Sequence, residues 1–173
     1  MCVAAEQKTR SERKGVSAVT KILFVCLGNI CRSPMAEFVM KDMVRRKGIK
    51  EEFVIASAAT STEEIGNPVH RGTRQKLAEV GISVEGKTAV QMRREDYDRY
   101  DYLIGMESRN LNNMLRIVGS DSKGKLHRLL DFSDKPRDIA DPWYTGDFET
   151  TYLDICEGCS ALLESIVKQN NVN

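Results

Sequence analysis

In the stretch Cys26-Leu27-Gly28-Asn29-Ile30-Cys31-Arg32-Ser33 the chain gathers a thiol, a guanidinium and a hydroxyl around a glycine–asparagine turn. A loop of this length wraps a small tetrahedral anion with its backbone N–H groups turned inward, and the helix start behind it adds partial positive charge. Gly28 and Asn29 are residue types that tolerate positive φ, and both are expected to use it. Arg32 brings a planar fork that clamps two anion oxygens. The same field favours a thiolate at Cys26, and a thiolate is a ready nucleophile. Ser33 is placed to donate to that sulfur, which steadies the thiolate and eases its later departure. A phosphate monoester seated here has phosphorus in line between the sulfur and the ester oxygen.

Taken singly these residues say little. A cysteine at a strand end is more often a small core residue, an arginine near a helix start is usually a surface charge, and Cys-x5-Arg-Ser arises by chance. Their joint context carries the weight: an apolar strand, a Gly-Asn loop and a proline-started helix. A departing alkoxide or phenolate also needs a proton, so an acid must approach from the other side. The late acidic stretch offers Asp131, Asp134, Asp138, Asp141 and Asp147, and composition does not choose among them. Asp141-Pro142 is the stiffest presentation, because proline restricts the residue before it. Trp143 and Tyr144 beside it are suited to stack on an aromatic leaving group.

The elements that must position this loop are readable from periodicity. Lys21–Cys26 is a short apolar run bounded by polar residues and glycine, the mark of a buried strand. Ser33 suits an N-cap and Pro34 the first helical position, and Met35, Phe38, Val39, Met43 and Val44 recur at helical spacing up to Gly48. Phe53–Ser57 reads as a second strand, Arg71–Val80 as a helix closed by Gly81, and Tyr100–Met106 as a third strand feeding a helix through Leu111, Met114, Leu115 and Val118. A weak fourth strand fits Lys125–Leu130, Asp131–Asp147 reads as a long loop, and Phe148–Lys168 as a closing helix. Strands alternating with helices imply right-handed crossovers and a parallel sheet covered on both faces, a three-layer α/β fold. Ligands bind such sheets beyond the carboxyl ends of the strands, where Cys26–Ser33 falls.

The 173 residues suit a single domain over 21–173, with residues 1–20 as a flexible extension. Apolar residues at 41% and charged residues at 29% exclude general disorder. With 26 Lys+Arg against 25 Asp+Glu, a net charge of +1 gives no global pull toward nucleic acid or anionic membrane. No apolar run reaches the ~18–20 residues that cross a bilayer. Five cysteines, Cys2, Cys26, Cys31, Cys156 and Cys159, are an odd number and fit a reducing compartment, with the cytoplasm as the expected setting.

Phe24-Val-Cys-Leu-Gly-Asn-Ile-Cys-Arg-Ser-Pro-Met-Ala-Glu37, followed late in the chain by Asp141-Pro-Trp-Tyr144, resembles the low-molecular-weight protein tyrosine phosphatase family over about Lys21 to Val167. The resemblance implies a flavodoxin-like fold with a four-stranded parallel sheet and a phosphotyrosine phosphatase activity. It implies Cys26 as the nucleophile that forms a phosphocysteine, Arg32 as the ligand of phosphate and transition state, and Asp141 as general acid and then base. Leu27, Gly28, Asn29, Ile30, Cys31 and Ser33 form the substrate loop, with Trp143 and Tyr144 as its aromatic wall and Ser57 as a support that bonds Asn29. Cys31 occupies the place of the family's second cysteine, which pairs reversibly with the nucleophile under oxidation. The implied partner is a tyrosine-phosphorylated protein, with no metal or other cofactor, met by a monomer or weak dimer.

Three departures stand out. The rim segment after the second strand reads Thr62-Glu63-Glu64-Ile65 where many members carry an aromatic, so acidic residues are expected at the cleft, disfavouring acidic phosphopeptides. The segment where some members carry a loop-supporting histidine reads Glu85-Gly86-Lys87-Thr88, so that support is expected to be missing. Trp143 replaces the first of two tyrosines. Arsenate reduction, the alternative on the same fold, needs relay cysteines in a mobile segment, and Lys76–Leu126 has none. The pair Cys156 and Cys159 lacks the second Cys or His pair a zinc site needs. A Cys-His hydrolase would need His70 or His127 beside Cys26, and the loop lacks the glycine–lysine pattern of a nucleotide P-loop. A phosphotyrosine-binding module without turnover would have no use for the acid.

Overall fold

The structure is a computed structural model that describes residues 18–172, so most of the expected N-terminal extension lies outside the described residues. Its centre is β1 (Thr20–Cys26), which pairs in parallel with β2 (Phe53–Ala59) on one side and β3 (Tyr102–Gly105) on the other. β4 (Leu126–Arg128) pairs in parallel with β3, giving the order β2-β1-β3-β4. After β2 the chain crosses back to the far side of β1, so strand order reverses at the carboxyl end of β1, the switch point where open α/β sheets bind ligands. Thr20, expected in the extension, opens β1 because its backbone is in register with Phe53.

Alternation along β1 divides the core. Ile22, Phe24 and Cys26 face a layer made by α1 (Arg32–Arg46) and α6 (Phe148–Val172), meeting Met35, Val39, Met40, Leu162, Leu163 and Ile166. Leu23 and Val25 face the other way, toward Met92, Tyr97 on α3 (Asp96–Arg99) and Met114 and Val118 on α4 (Ser108–Val118). This is the expected three-layer α/β arrangement. Phe24 is fully buried, and truncating such a ring to alanine costs about 3–5 kcal/mol.

Several boundaries differ from the sequence reading, each for a tertiary reason. α1 begins at Arg32 with Cys31 as its N-cap, and Ser33 does not cap it, because its hydroxyl turns toward Cys26 and Asn29. The helix stops at a paired C-cap: Ile49 N–H donates to Val44 O and Gly48 N–H to Arg45 O, with Gly48 at φ 70°. β2 runs on past Ser57 to Ala59, and β3 begins two residues late because Asp101 instead binds the backbone of Lys21. β4 ends at Arg128, and Leu129 and Leu130 coil into a short 3₁₀ turn that buries both side chains. Leu129 lies so close to α6 that a Cβ on Gly158 would fall 2.5 Å from it. α2 spans Arg71–Glu79, and the long loop before α6 contains one helical turn, α5 (Pro142–Thr145).

Candidate active site

The loop from β1 to α1 curls over the carboxyl edge of the sheet and forms the floor of a cleft of about 140 Å³. Cys26, Leu27, Gly28, Ile30, Cys31 and Arg32 line the floor, Asp141, Trp143 and Tyr144 one wall, and Ser61, Glu63 and Glu64 the other. Backbone N–H groups of Leu27, Gly28, Ile30 and Cys31 donate to no protein acceptor among the described residues. Around an anion-sized hollow these are the donors a tetrahedral oxyanion requires. Asn29 is the one non-glycine among the described residues at positive φ, 58°. Gly28, expected to share that conformation, does not. A Cβ there would sit 3.2 Å from Glu64 Cγ, so any larger residue at 28 would press on that rim side chain.

Cys26 Sγ accepts from the Asn29 N–H at 3.3 Å and lies 3.0 Å from Ser33 Oγ. Asn29 and Ser33 are fully buried, so their side chains back the loop and do not line the cleft. Asn29 spends its whole amide on this support: Nδ2 donates to Ser33 Oγ at 2.8 Å and Ser57 Oγ at 2.9 Å, and Oδ1 accepts from the Val90 N–H at 3.1 Å. Ser57 is thus tied to the loop through Asn29.

Behind Ser57 the expected gap is filled. Ser57 Oγ donates to Glu37, whose carboxylate also pairs with Lys87 at 3.1 Å and Lys41 at 2.6 Å. Lys87 further donates to Ser57 O at 3.1 Å. Lys87 therefore stands where a supporting histidine was expected to be missing. The chain of contacts runs from Cys26 through Ser33, Asn29 and Ser57 to a buried ion pair. Glu37 left one trace in the sequence. It sits three residues before Met40 and seven before Val44, on the buried stripe of α1, where a carboxylate must have partners.

Arg32 is 2% exposed and held from three sides. Nη1 donates to Glu107 at 2.7 Å and to Ile139 O at 2.9 Å, and Nη2 to Asp141 at 3.0 Å. Burial works against its charge, but Cys26, Asp141 and the hydrogen-bonded Glu107 outweigh burial and push its pKa up. Nε–H and the second Nη2 N–H are left for an anion. Glu107 escaped sequence reasoning because its relation to Arg32 exists only through the β3–α4 turn, where Asn110 Oδ1 accepts from the Met106 and Glu107 N–H groups at 2.9 and 3.2 Å.

Of the five late aspartates only Asp141 reaches the cleft. Asp131 pairs with Arg128, Asp138 with Arg128 and Ser108, and Asp147 with Thr150. Ile139 N–H donates to Met106 O at 2.9 Å, which pins the Asp141 segment to the sheet. Asp141 also accepts from the Trp143 N–H at 3.1 Å, so one carboxylate caps α5 and faces Arg32. Trp143 and Tyr144 are 56% and 78% exposed and form the open wall. Cys31 is buried, and burial first, then the charges of Cys26 and Asp141, push its thiol up to about 12. Cys159 is buried in the α6 layer and Cys156 half-buried on its side.

Fold and site together define an α/β protein whose anion-sized loop faces a cysteine sulfur across from a carboxylate. Residues 21–172 match the family model described as low molecular weight phosphotyrosine protein phosphatase, and the chain belongs to that family of hydrolases. It is 40% identical over 153 residues to the low molecular weight protein-tyrosine-phosphatase YfkJ of Bacillus subtilis, covering 87% of this chain and 98% of the relative. The crystal structure of YfkJ superposes with a TM-score of 0.86, covering 90% of this chain and 99% of that one. The Streptococcus pyogenes enzyme SP-PTP, also 40% identical, gives a TM-score of 0.76 over 85% of this chain and 93% of its own. Vibrio vulnificus Wzb in complex with benzylphosphonate, 27% identical, gives 0.73 over 86% and 99%.

Proposed function

We propose that this chain hydrolyses phosphotyrosine in proteins, and small aryl phosphates, through a phosphocysteine intermediate. One observation carries the reading: Cys26 Sγ, supported by Asn29 N–H and Ser33, opens onto a cleft that also holds Arg32 and Asp141. The Cys26 thiolate attacks phosphorus as the ester oxygen leaves, and protonated Asp141 gives that oxygen its proton. Asp141, now a carboxylate, takes a proton from the water that attacks the phosphocysteine, and the S–P bond breaks to return thiolate and inorganic phosphate. Arg32 and the loop N–H groups carry the charge of the equatorial oxygens, so the reading calls on no metal or other cofactor. Cys31 is held as a thiol by its raised pKa, which leaves Cys26 as the nucleophile.

Trp143 and Tyr144 offer faces to an aryl leaving group, and the benzylphosphonate bound by Vibrio vulnificus Wzb is a ligand of that shape. The substrates are tyrosine-phosphorylated proteins. The setting is a monomer or weak dimer in a reducing compartment, the cytoplasm, where Cys26 stays a free thiol. Residues 21–173 act as one phosphatase domain. The test is hydrolysis of an aryl phosphate with EDTA and reductant present. Parent protein should turn over, Cys26→Ser should bind the ester without turnover, and Asp141→Ala should lose about 10²–10⁴-fold in kcat. A folded, reduced parent without turnover, or an active Cys26→Ser, would defeat the reading.

A further inference from the structure

His70 lies outside the machinery described so far, and the sequence marks it only as a lone histidine. The fold places it at the joint between the loop floor and the aromatic wall. Its backbone N–H donates to Ile30 O at 2.8 Å, directly behind the loop. Its Nδ1 accepts from the Gly72 N–H at 3.0 Å and so caps α2, which fixes the ring proton on Nε2. The ring lies flat on Phe148, with centroids 5.3 Å apart and planes at 9°, and meets the indole of Trp143 edge-on at 5.6 Å and 72°.

Its neighbours are shaped to keep the ring there. A Cβ on Gly72 would fall 2.4 Å from the Phe148 ring, so only glycine lets that ring close on the start of α2. Phe148 in turn packs on Ile30, Cys31 and Ala89. Thr73, fully buried, donates from Oγ1 to Cys31 O at 3.3 Å. Trp143, more than half exposed, has His70 as its ring partner among the described residues.

We propose that His70 is a positioning residue that sets the substrate wall: its imidazole, braced by Phe148 and by the cap on α2, holds the Trp143 indole at the distance from the phosphate loop that an aryl ester requires. The inference rests on the aryl phosphatase reading above. It assigns His70 no proton transfer and no contact with phosphate. An indole fixed in advance binds the aryl group in ground and transition state alike, so its loss raises KM and leaves kcat nearly unchanged.

The test uses three substitutions in the full chain. With His70→Ala, KM for p-nitrophenyl phosphate should rise about 3–10-fold, the range of one aromatic contact, with kcat within about twofold and inhibition by inorganic phosphate unaltered. His70→Asn keeps an oxygen to accept the Gly72 N–H but has no ring, so it should regain thermal stability without regaining KM. His70→Phe keeps a ring without the cap, so it should regain KM at reduced stability. Trp143 is the chain's one tryptophan, so its fluorescence anisotropy reports the indole directly. It should fall in His70→Ala and His70→Asn and hold in His70→Phe. Unchanged KM and anisotropy in His70→Ala, or recovery of both by His70→Asn, would overturn the proposal. A parent without turnover would defeat the phosphatase reading instead, and the anisotropy comparison would still decide whether His70 holds the wall.

Discussion

Lys87→Met tests the ion pair that stands behind the phosphate loop. The methionine keeps most of the length of the chain and removes the ammonium, which leaves Glu37, with 5% of its side chain exposed, facing Ser57 and the half-exposed Lys41. Removing one partner of a buried pair costs about 3–5 kcal/mol, because the remaining charge is desolvated without compensation. Lys41 remains 2.6 Å from the other carboxylate oxygen and compensates part of the charge, so the loss falls at or just below the bottom of that range, about 2–3 kcal/mol. The Ser57 carbonyl also loses a donor. At about 2–4 °C per kcal/mol for a domain of this size, the melting temperature should drop by about 5–10 °C. Urea denaturation of the single variants and of the double variant Lys87→Met with Glu37→Gln gives a cycle. The double variant should recover part of the loss, since no bare carboxylate stays buried. A single variant within about 0.5 kcal/mol of the parent, or a double variant as damaged as the sum of the singles, would refute this account of the loop's support.

Two further outcomes are expected. At pH 7 iodoacetamide should modify Cys26 and leave Cys31 unlabelled, since burial and the neighbouring negative charges push Cys31 up to about 12; peptide mass spectrometry locates the adduct, and equal labelling would contradict the assignment. Burial raises the Asp138 carboxyl, but Arg128 and the backbone and hydroxyl of Ser108 outweigh it and hold the pKa below its ordinary value. A depressed carboxyl stabilises the fold above its unfolded pKa of about 3.9 and loses that contribution as pH falls through the folded value. Asp138→Asn should therefore be less stable than the parent at neutral pH by no more than about 1 kcal/mol, given the exposure of the pair. That gap should close at low pH, and a gap that widens on acidification would count against the clamp.

The sequence by itself determined what is local in chain distance. β1 and its buried character follow from Lys21–Cys26, and the loop from Cys26 to Ser33 is contiguous, so residue type and spacing alone predict an anion site between a strand and a helix. The crossovers and the parallel sheet follow from alternating periods, because a parallel neighbour cannot be reached by a hairpin. Tertiary structure decided whatever joins residues far apart. Asp141 stands out from the other late aspartates because the Ile139–Met106 bond carries it to Arg32, a partner 109 residues away. Ser33 reads both as a helix cap and as a partner of the sulfur, and the fold keeps only the second role, while Gly28 reads as a positive-φ residue and does not adopt that conformation. Glu37 shows in the sequence only as a carboxylate on a buried stripe, with nothing to name Lys87 as its partner, and Glu107 with Arg32 and His70 with Trp143 have no signature in sequence. A polar or aromatic side chain gives no local sign of its partner, and which group satisfies a buried charge or ring is settled only when the layers close around it.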